Sequence, residues 1–312
     1  MLDHQNIKDL AFGLGFDLCG IARCRHMVDN EDHYRRWIDR GWQSSLGYME
    51  RNADKRFDPR RLVEGARTAV VCAVAYKNRI SEGYPPQHRT RVASYAATTD
   101  YHTTLRELLR RLLDALRERY PDLRGRAFVD TAPLCEKQLA VDAGLGWIGR
   151  QSLLVTPRFG TFVLVGELLL TDEADSYDSP LEGVGCGACR RCLDACPTGA
   201  VSEERMIDTA RCISCHTVEQ APAAEIDLHG WIFGCDACQN CCPYNRRAPM
   251  HHNTAFDPVF DPLAMNADEW LAMDDAEFER RCGRTPLTRS GLERIRRNVL
   301  RNRECPEASE QE

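Results

Sequence analysis

Ten of the 16 cysteines lie between Cys186 and Cys242, at a spacing that would allow their thiolates to bind metal clusters. Residues 186–197 read C-x2-C-x2-C-x3-C-P, and residues 235–243 contain a second C-x2-C and end in C-P. This spacing is typical of two-cluster bacterial ferredoxins, in which the first three cysteines bind one 4Fe-4S cluster and the fourth ligates the other. The pattern therefore predicts an iron–sulfur protein that transfers electrons.

Eight thiolates fill two cubanes, and the interlocking pattern divides them into two sets of four. We assign one cluster to Cys186, Cys189, Cys192 and Cys242, and the second to Cys196, Cys212, Cys235 and Cys238. The spacing leaves open whether Cys241 or Cys242 is the ligand, although the Cys-Pro pair at 242–243 favours Cys242.

Zinc ribbons and disulfide frameworks are the alternative uses of so many cysteines. Zinc sites use paired C-x2-C knuckles with four ligands and do not require a third cysteine or a Cys-Pro pair. Disulfide frameworks belong to small secreted chains, whereas this chain has 312 residues and begins MLDHQ without a basic and apolar leader. We therefore expect a reducing, cytoplasmic compartment.

The composition is that of an ordinary folded protein, with 43% hydrophobic residues and a formal net charge of −6. Its longest apolar stretch, 161–170, is interrupted by Gly166 and Glu167 and is shorter than the ~20 residues that span a bilayer. We predict no membrane segment. The negative charge argues against a uniformly basic nucleic-acid binder but permits a local basic patch.

Strand and helix patterns alternate before the cysteine region. Residues 69–76 (AVVCAVAY) predict a buried strand, and leucines recurring at three and four residues over 105–116 predict an amphipathic helix, with Thr104 and Glu107 spaced as a capping box. Further strands are predicted at 126–129 and 160–170 and a helix at 134–143. The fold class is therefore α+β or α/β, with domains at 1–175 and 176–250 and a short helical segment at 251–312.

Six segments together resemble the epoxyqueuosine reductases, the cobalamin-dependent iron–sulfur enzymes that complete queuosine synthesis on tRNA. Each is weak alone, but their order and spacing are specific: 54–59 (DKRFDP), 100–102 (DYH), 129–133 (VDTAP), 186–200, 212–214 (CIS) and 234–239 (GCDACQ). The resemblance runs from about residue 5 to about 300. Longer members of the family continue into a HEAT-like domain, so this chain resembles the short form.

The resemblance implies a chemistry and a set of partners. Reducing an epoxide to an alkene needs two electrons and protonation of the leaving oxygen, and the family uses two 4Fe-4S clusters and cobalamin to do so. It implies that residues 1–175 bind cobalamin, that 176–250 form the ferredoxin-type domain, and that the substrate is epoxyqueuosine in the anticodon loop. We further expect a monomer that receives electrons from a donor such as flavodoxin or ferredoxin.

The resemblance makes Asp130 the candidate general acid. It follows a short apolar strand, and strand ends present residues into clefts. A carboxyl covered by a corrin would lose solvation, so we expect its pKa to rise. The residues alone favour the alternative that Asp130 caps the helix that begins near Leu134, and the resemblance reverses this preference.

By matching position, the family suggests four further cobalamin contacts: Arg56, Leu154, Val165 and Ser214. His102 lies in a near miss to the D-x-H-x-x-G motif of base-on corrinoid proteins, with Leu105 in place of glycine, so we place it at the start of the amphipathic helix rather than on cobalt. Residues 144–149 spell G-x-G-x-x-G but follow a helical segment, which argues against a dinucleotide site.

The C-terminal segment offers a candidate surface for tRNA phosphates. Arg294, Arg296, Arg297, Arg301 and Arg303 are spaced on one helix whose apolar side carries Leu292, Ile295, Val299 and Leu300. A solvated helix face is the alternative. The rival functions are a corrinoid reductive dehalogenase and a simple electron carrier, and bound cobalamin would distinguish the carrier from both enzymes.

Overall fold

A computed structural model describes residues 1–219 and 226–304. Residues 305–312, the last part of the predicted C-terminal segment, lie outside the described residues. The strands are β1 Leu18–Arg23, β2 Thr68–Ala75, β3 Arg91–Val92, β4 Gly125–Phe128, β5 Trp147–Ile148, β6 Leu154–Val155, β7 Val163–Leu170 and β8 Trp231–Phe233.

Helices surround these strands. They are α1 His4–Gly13, α2 Val28–Asp39, α3 Gly47–Glu50, α4 Ala53–Arg56, α5 Tyr101–Arg119, α6 Glu136–Asp142, α7 Arg191–Asp194, α8 Ile213–Val218, α9 Ala237–Asn240, α10 Pro243–Arg247, α11 Ala267–Ala272, α12 Asp275–Cys282 and α13 Gly291–Glu304. In the part of the chain that the structure describes, none of them is both long and apolar enough to cross a membrane.

The central sheet has four strands in the order β1-β2-β7-β4, and every neighbouring pair is antiparallel. The predicted strands at 69–76, 126–129 and 160–170 are confirmed as β2, β4 and β7, with shifted ends. Every residue of β2 is buried because helices cover both faces of the sheet. The fold is thus α+β, the first of the two predicted classes.

The two faces of the sheet carry separate cores. On one face, α1 and the leucines of α5 pack against alternate residues of the strands, such as Val70, Cys72 and Leu168. On the other face, α6 packs against Val71 and Leu169. This second face also carries the turn after β4, so α6 and that turn lie side by side.

The amphipathic helix is confirmed as α5, but its predicted start is wrong. Asp100, rather than Thr104, is the N-cap, and its carboxylate accepts the backbone N–H of His102 at 3.0 Å. The helix therefore begins one turn earlier than the leucine pattern suggests. As predicted, His102 lies at its start.

The C-terminal helices join the rest of the molecule through a small parallel strand pair. β3 pairs with β8, and Val92, Ile232 and Phe233 form one core with Trp270 of α11 and Ile295 of α13. Buried amides reinforce this packing, because the Asn298 side chain donates to the Ile232 carbonyl at 2.9 Å. The predicted apolar side of α13 is correct except for Leu300, which is 47% exposed.

Candidate active site

A cleft of about 1630 Å³ opens beside α6. Its walls come from α2, the turn after β4, β5, the loop at 205–207 and the segment just before α13. This volume exceeds the ~300–1,000 Å³ of ordinary small-molecule pockets. The cleft is therefore suited to a large ligand, or to a cofactor and a substrate together.

Asp130 lies in the cleft wall on a tight turn. Its φ angle is +54°, in the left-handed region that aspartate tolerates better than most residues. The Thr131 N–H donates to the Val129 carbonyl around this turn, and the Asp130 N–H donates to Glu136 Oε1 at 2.6 Å. The Asp130 side chain is 49% exposed. The turn thus presents a carboxylate to the open cleft.

The start of α5 supplies the hydrogen-bond partners of this carboxylate. The Tyr101 hydroxyl donates to Asp130 Oδ2 at 2.7 Å, and His102 Nε2 lies 3.3 Å from the same oxygen. His102 Nδ1 lies 2.8 Å from Asp100 Oδ1, so the imidazole bridges two carboxylates. The rings of Tyr101 and His102 stack at 4.1 Å. The network fixes the orientation of Asp130.

This network changes the pKa values of its members in opposite directions. Burial opposes the charged imidazole of His102, but its hydrogen bonds to Asp100 and Asp130 outweigh burial and raise its pKa to about 9. The hydrogen bond from His102 lowers the pKa of Asp130. A cationic neighbour stabilises the Asp130 carboxylate and so lowers its pKa. The rise expected for a carboxyl covered by a corrin stays a prediction.

The alternative that Asp130 caps the following helix is also wrong. α6 begins at Glu136, and its N-cap is Cys135 rather than Asp130. The Cys135 side chain makes no capping hydrogen bond. The contact between the turn and the helix runs the other way, from the Asp130 backbone to the Glu136 side chain. The Asp130 carboxylate is left for other partners.

Of the other predicted cofactor contacts, the structure brings only Arg56 to the cleft wall. Leu154 is 4% exposed and packs in the core beside α6, Val165 is half-buried on β7, and Ser214 is half-buried on α8. Arg56 Nε is buried and meets no acceptor within residues 1–219 and 226–304. The same holds for Trp147 Nε1, which also lines the cleft. Buried donors of this kind are costly unless a ligand accepts from them.

The predicted cluster ligands fall into two groups in space. Burial raises the pKa of Cys192, and the neighbouring thiols of Cys186, Cys189 and Cys242 raise it further. Burial raises the pKa of Cys235 in the same way, with contributions from Cys212 and Cys196. Cys238 adjoins this second group. Cys186, Cys189 and Cys242 thus lie near Cys192, and Cys196, Cys212 and Cys238 lie near Cys235. The assignment of cluster ligands stays a prediction.

The thiol environment suits iron–sulfur ligation. The Ala200 N–H donates to Cys196 Sγ at 3.2 Å, and such bonds stabilise a thiolate. Within residues 1–219 and 226–304, no group of three or more His, Cys, Asp or Glu side chains is arranged to hold a single metal ion. Cys241 lies near the first group, and Cys215 near Cys212 of the second.

The G-x-G-x-x-G segment makes a hairpin in the cleft wall. It follows α6, and β5 turns back on β6 through the Ile148 and Leu154 pair. A Cβ on Gly146 would lie 2.1 Å from the Val155 carbonyl oxygen, so glycine is required for this close approach. The rejection of a dinucleotide site is consistent with this arrangement.

The arginines of α13 do not form a free basic stripe. Arg294 donates to the Glu219 carbonyl, Arg296 to the Met273 carbonyl, Arg301 to the Ile226 carbonyl at 2.9 Å, and Arg303 to Asp268. These bonds hold α13 against the molecule. Exposed arginines instead surround the cleft: Arg25, Arg36, Arg51, Arg205 and Arg289.

The sequence did not assign several residues that meet at Asp130. Tyr101, Asp100 and Glu136 contact it directly or through His102, and Arg289 lies in the same wall, donating to Glu219 Oε1 at 3.1 Å. The DYH motif at 100–102 is the sequence feature that could have identified Tyr101 and Asp100. No sequence pattern brings Arg289 to residue 130, because only tertiary packing joins them.

Family models match two parts of this chain. Residues 56–131 match the model described as Epoxyqueuosine reductase QueG, DUF1730, and residues 185–245 match the 4Fe-4S double cluster binding domain. The second match covers all eight cysteines that are predicted to ligate the clusters. The double-cluster interpretation of the cysteine run is confirmed.

Relatives match nearly the whole chain. The epoxyqueuosine reductase of Cyclobacterium marinum is 37% identical over 95% of both chains. An epoxyqueuosine reductase structure with an epoxyqueuosine-modified tRNA-Tyr stem loop has a TM-score of 0.83 at 27% identity, covering 96% of this chain and 80% of that one. A Bacillus subtilis structure, with its catalytic aspartate loop swung out of the active site, has the same identity, coverage and TM-score. This chain belongs to the epoxyqueuosine reductase family.

Proposed function

We propose that this protein reduces epoxyqueuosine to queuosine in tRNA. The observation that carries the proposal is the placement of Asp130, which presents a half-exposed carboxylate, hydrogen-bonded to a cationic histidine, to a cleft of about 1630 Å³. The name of the C. marinum relative and the stem loop bound to a related enzyme support the same substrate. The reaction consumes two electrons and two protons and yields an alkene and water.

The cleft is the site we propose for cobalamin. Its volume, its apolar and aromatic walls, and the buried Arg56 and Trp147 donors without acceptors in the described ranges support a large ligand with polar edge groups. Cobalamin would supply the low-valent cobalt chemistry that transfers two electrons to the substrate. Arg56 and Asp130 would contact it from the wall. Leu154, Val165 and Ser214 are contacts that the resemblance implies, and they lie outside the residues that line the cleft.

Two 4Fe-4S clusters would deliver electrons to this cleft. We propose Cys186, Cys189, Cys192 and Cys242 as the ligands of one cluster, and Cys196, Cys212, Cys235 and Cys238 as those of the other. An external donor such as flavodoxin or ferredoxin would reduce them in the cytoplasm, with the enzyme acting as a monomer. Alternation of the two ligand sets along the chain would keep the clusters close together.

Asp130 and His102 hold the proton that the leaving oxygen needs. In the open cleft the pair is ionic, with the proton on His102. Bound substrate and cofactor would remove water from the pair, and desolvation favours its neutral form, with the proton on Asp130. Asp130 can then protonate the departing oxygen while Tyr101 keeps the carboxyl oriented. Asp130 therefore carries the proton only when substrate and cofactor occupy the cleft and exclude water.

Replacing Asp130 by asparagine tests the proposal. Asparagine keeps the shape of the side chain and tolerates the left-handed turn, but it cannot release a proton. Single-turnover conversion of epoxyqueuosine in an anticodon stem loop, with cobalamin and a strong reductant, should slow by roughly 10²–10⁴-fold. Cobalamin and iron content should remain those of the wild type.

The matched control is Asp122→Asn, which changes an exposed aspartate outside the cleft and should keep full turnover. Near-normal turnover in Asp130→Asn would remove Asp130 from the acid role. A wild-type protein that ignored the epoxide but dehalogenated an organohalide would overturn the proposed reaction itself.

A further inference from the structure

A second carboxylate lies buried behind Asp130, and the reaction described above does not use it. Glu167 is on β7 in the middle of the sheet, opposite Val71 of β2 and Phe128 of β4, and is 0% exposed. Among residues 1–219 and 226–304, no N–H or hydroxyl group donates to either of its carboxylate oxygens. A buried carboxylate without donors is strongly destabilising, so this side chain must hold a proton or share one.

Glu167 lies two residues from Leu169 on β7 and so points to the face of the sheet that α6 covers. The neighbouring carboxyl there is that of Glu136, in the first turn of α6, whose charge raises the pKa of Glu167. Two ionised carboxylates cannot hydrogen-bond each other, because neither has a hydrogen to donate. One proton between them satisfies both. Glu136 also contacts Asp130, because its Oε1 atom accepts a hydrogen bond from the Asp130 backbone N–H at 2.6 Å.

We propose that Glu136 and Glu167 share one proton and that this pair positions Asp130 for its reaction. The shared proton fixes the Glu136 carboxyl against the sheet, which leaves its Oε1 lone pair aimed at the Asp130 N–H. That bond holds the left-handed turn closed. Glu136 and Glu167 are positioning residues that act through the backbone of Asp130, and the inference rests on the function proposed above.

Two observations explain why the turn needs such support. A non-glycine residue at a φ of +54° is held in a sparsely populated conformation that persists only when its surroundings stabilise it. The Asp130 side chain is half-exposed, so packing alone does not fix it. The backbone N–H is therefore the part of the turn that the protein interior can hold most firmly.

The charges around the pair favour retention of the proton. Burial raises the pKa of both Glu136 and Glu167, and the charge of Asp130 raises both further. The hydrogen bond from the Asp130 N–H, the charge of Lys137 and the hydrogen bond with Glu167 oppose this effect and lower the pKa of Glu136. The titratable groups near the pair are Asp130, Lys137, Cys135, Tyr101 and Cys72. Glu167 is fully buried and Glu136 is half-buried in the cleft wall. When alkaline pH removes the proton, the two charges repel and the turn loses its fixed acceptor.

Infrared spectroscopy tests the shared proton without any turnover. The wild-type protein at pH 7 should show the carbonyl band of a protonated carboxyl. Glu167→Gln and Glu136→Gln should each abolish it, because one amide N–H replaces the proton and the remaining carboxylate is ionised. Glu118→Gln, an exposed change on α5, should leave the band intact. A band that persists in both pair variants, or is absent from the wild type, would overturn the proposal.

The pH profile of single turnover tests the positioning role. Both glutamine variants keep the hydrogen bonds but have no proton to lose, so their rates should fall less steeply at alkaline pH than the wild-type rate. Glu136→Ala removes the acceptor of the Asp130 N–H and should lower turnover at pH 7 by roughly 10- to 100-fold. Wild-type turnover in Glu136→Ala, or an alkaline limb unchanged in Glu167→Gln, would refute the positioning role. If the wild type lacked turnover, the infrared result would still decide the shared proton.

Discussion

The arrangement of one imidazole between two carboxylates determines the charge at the reacting end of the cleft. His102 is the second residue of α5, where the cap at Asp100 brings a carboxylate to its Nδ1 atom. Asp130 approaches its Nε2 atom from the turn after β4. A histidine with both ring nitrogens near carboxylates is held as a cation. The same arrangement keeps Asp130 ionised until water leaves.

The raised pKa of His102 predicts a pH dependence of stability. A histidine whose folded pKa lies above its unfolded value stabilises the fold fully below the unfolded pKa, and this stabilisation is lost as pH rises through the folded pKa. The window therefore runs from pH 6.5 to about 9. Because Asp130 is half-exposed, solvent screening limits the effect to about 1–2 kcal/mol.

Thermal unfolding of the wild type and His102→Gln between pH 6 and pH 10 measures this contribution. The wild-type melting temperature should exceed that of the variant most at pH 6, and the difference should shrink by pH 10. His252→Gln is the control, because that side chain is 70% exposed and its ion pair with Asp17 contributes little. A difference between wild type and His102→Gln that stays constant over the range would contradict the predicted titration.

At the scale of elements, the basic surface of the cleft comes from short segments rather than from one long helix. Arg51 follows α3, Arg205 lies in a loop at φ +61°, and Arg289 precedes α13. α13 itself carries five arginines, and four of them donate hydrogen bonds to other parts of the protein. Local clustering in the sequence therefore does not locate the exposed arginines that surround the cleft.

We predict that Arg51 and Arg205 contact the tRNA backbone. The double substitution Arg51→Ala/Arg205→Ala should weaken binding of an anticodon stem loop and reduce the slope of log K against log salt by about 0.7 per lost contact. Fluorescence anisotropy at several salt concentrations measures both quantities. The control is Arg106→Ala/Arg111→Ala, which removes equal charge from the exposed side of α5 outside the cleft. An equal loss in the control would indicate only a net-charge effect.

The sequence predicts the elements better than their arrangement. Unbroken apolar runs and leucine spacing identify β2, β7 and α5, because burial on two faces or on one stripe leaves a clear period. The arrangement is harder to predict, because alternating strands and helices are equally compatible with a parallel sheet. The observed register shows that every neighbouring pair of strands in the central sheet is antiparallel. The partners of Asp130 depend on this register, which places Glu167 opposite Phe128 and therefore near the turn.

For the molecule as a whole, the alternation of cluster ligands is the feature most open to measurement. Anaerobically reconstituted protein should contain about eight irons per chain, as two cubanes require. Cys242→Ser should retain about four, because it removes a ligand of the first group only. Cys241→Ser should retain about eight, although its thiol lies near the same group. Iron analysis with cluster absorbance measures each value, and the reverse result would exchange the roles of Cys241 and Cys242.

The pairing of β3 with β8 has a consequence for the order of events during synthesis. Residues 91–92 are made long before residues 231–233, yet Val92 and Ala96 share one core with Ile232, Phe233 and the helices that follow. Contacts so distant in sequence form late, because a long loop must close first. While the ribosome translates the cysteine region, β3 therefore still lacks its partner strand. The core that β3 shares with α11 and α13 can close only after the cluster ligands have been made.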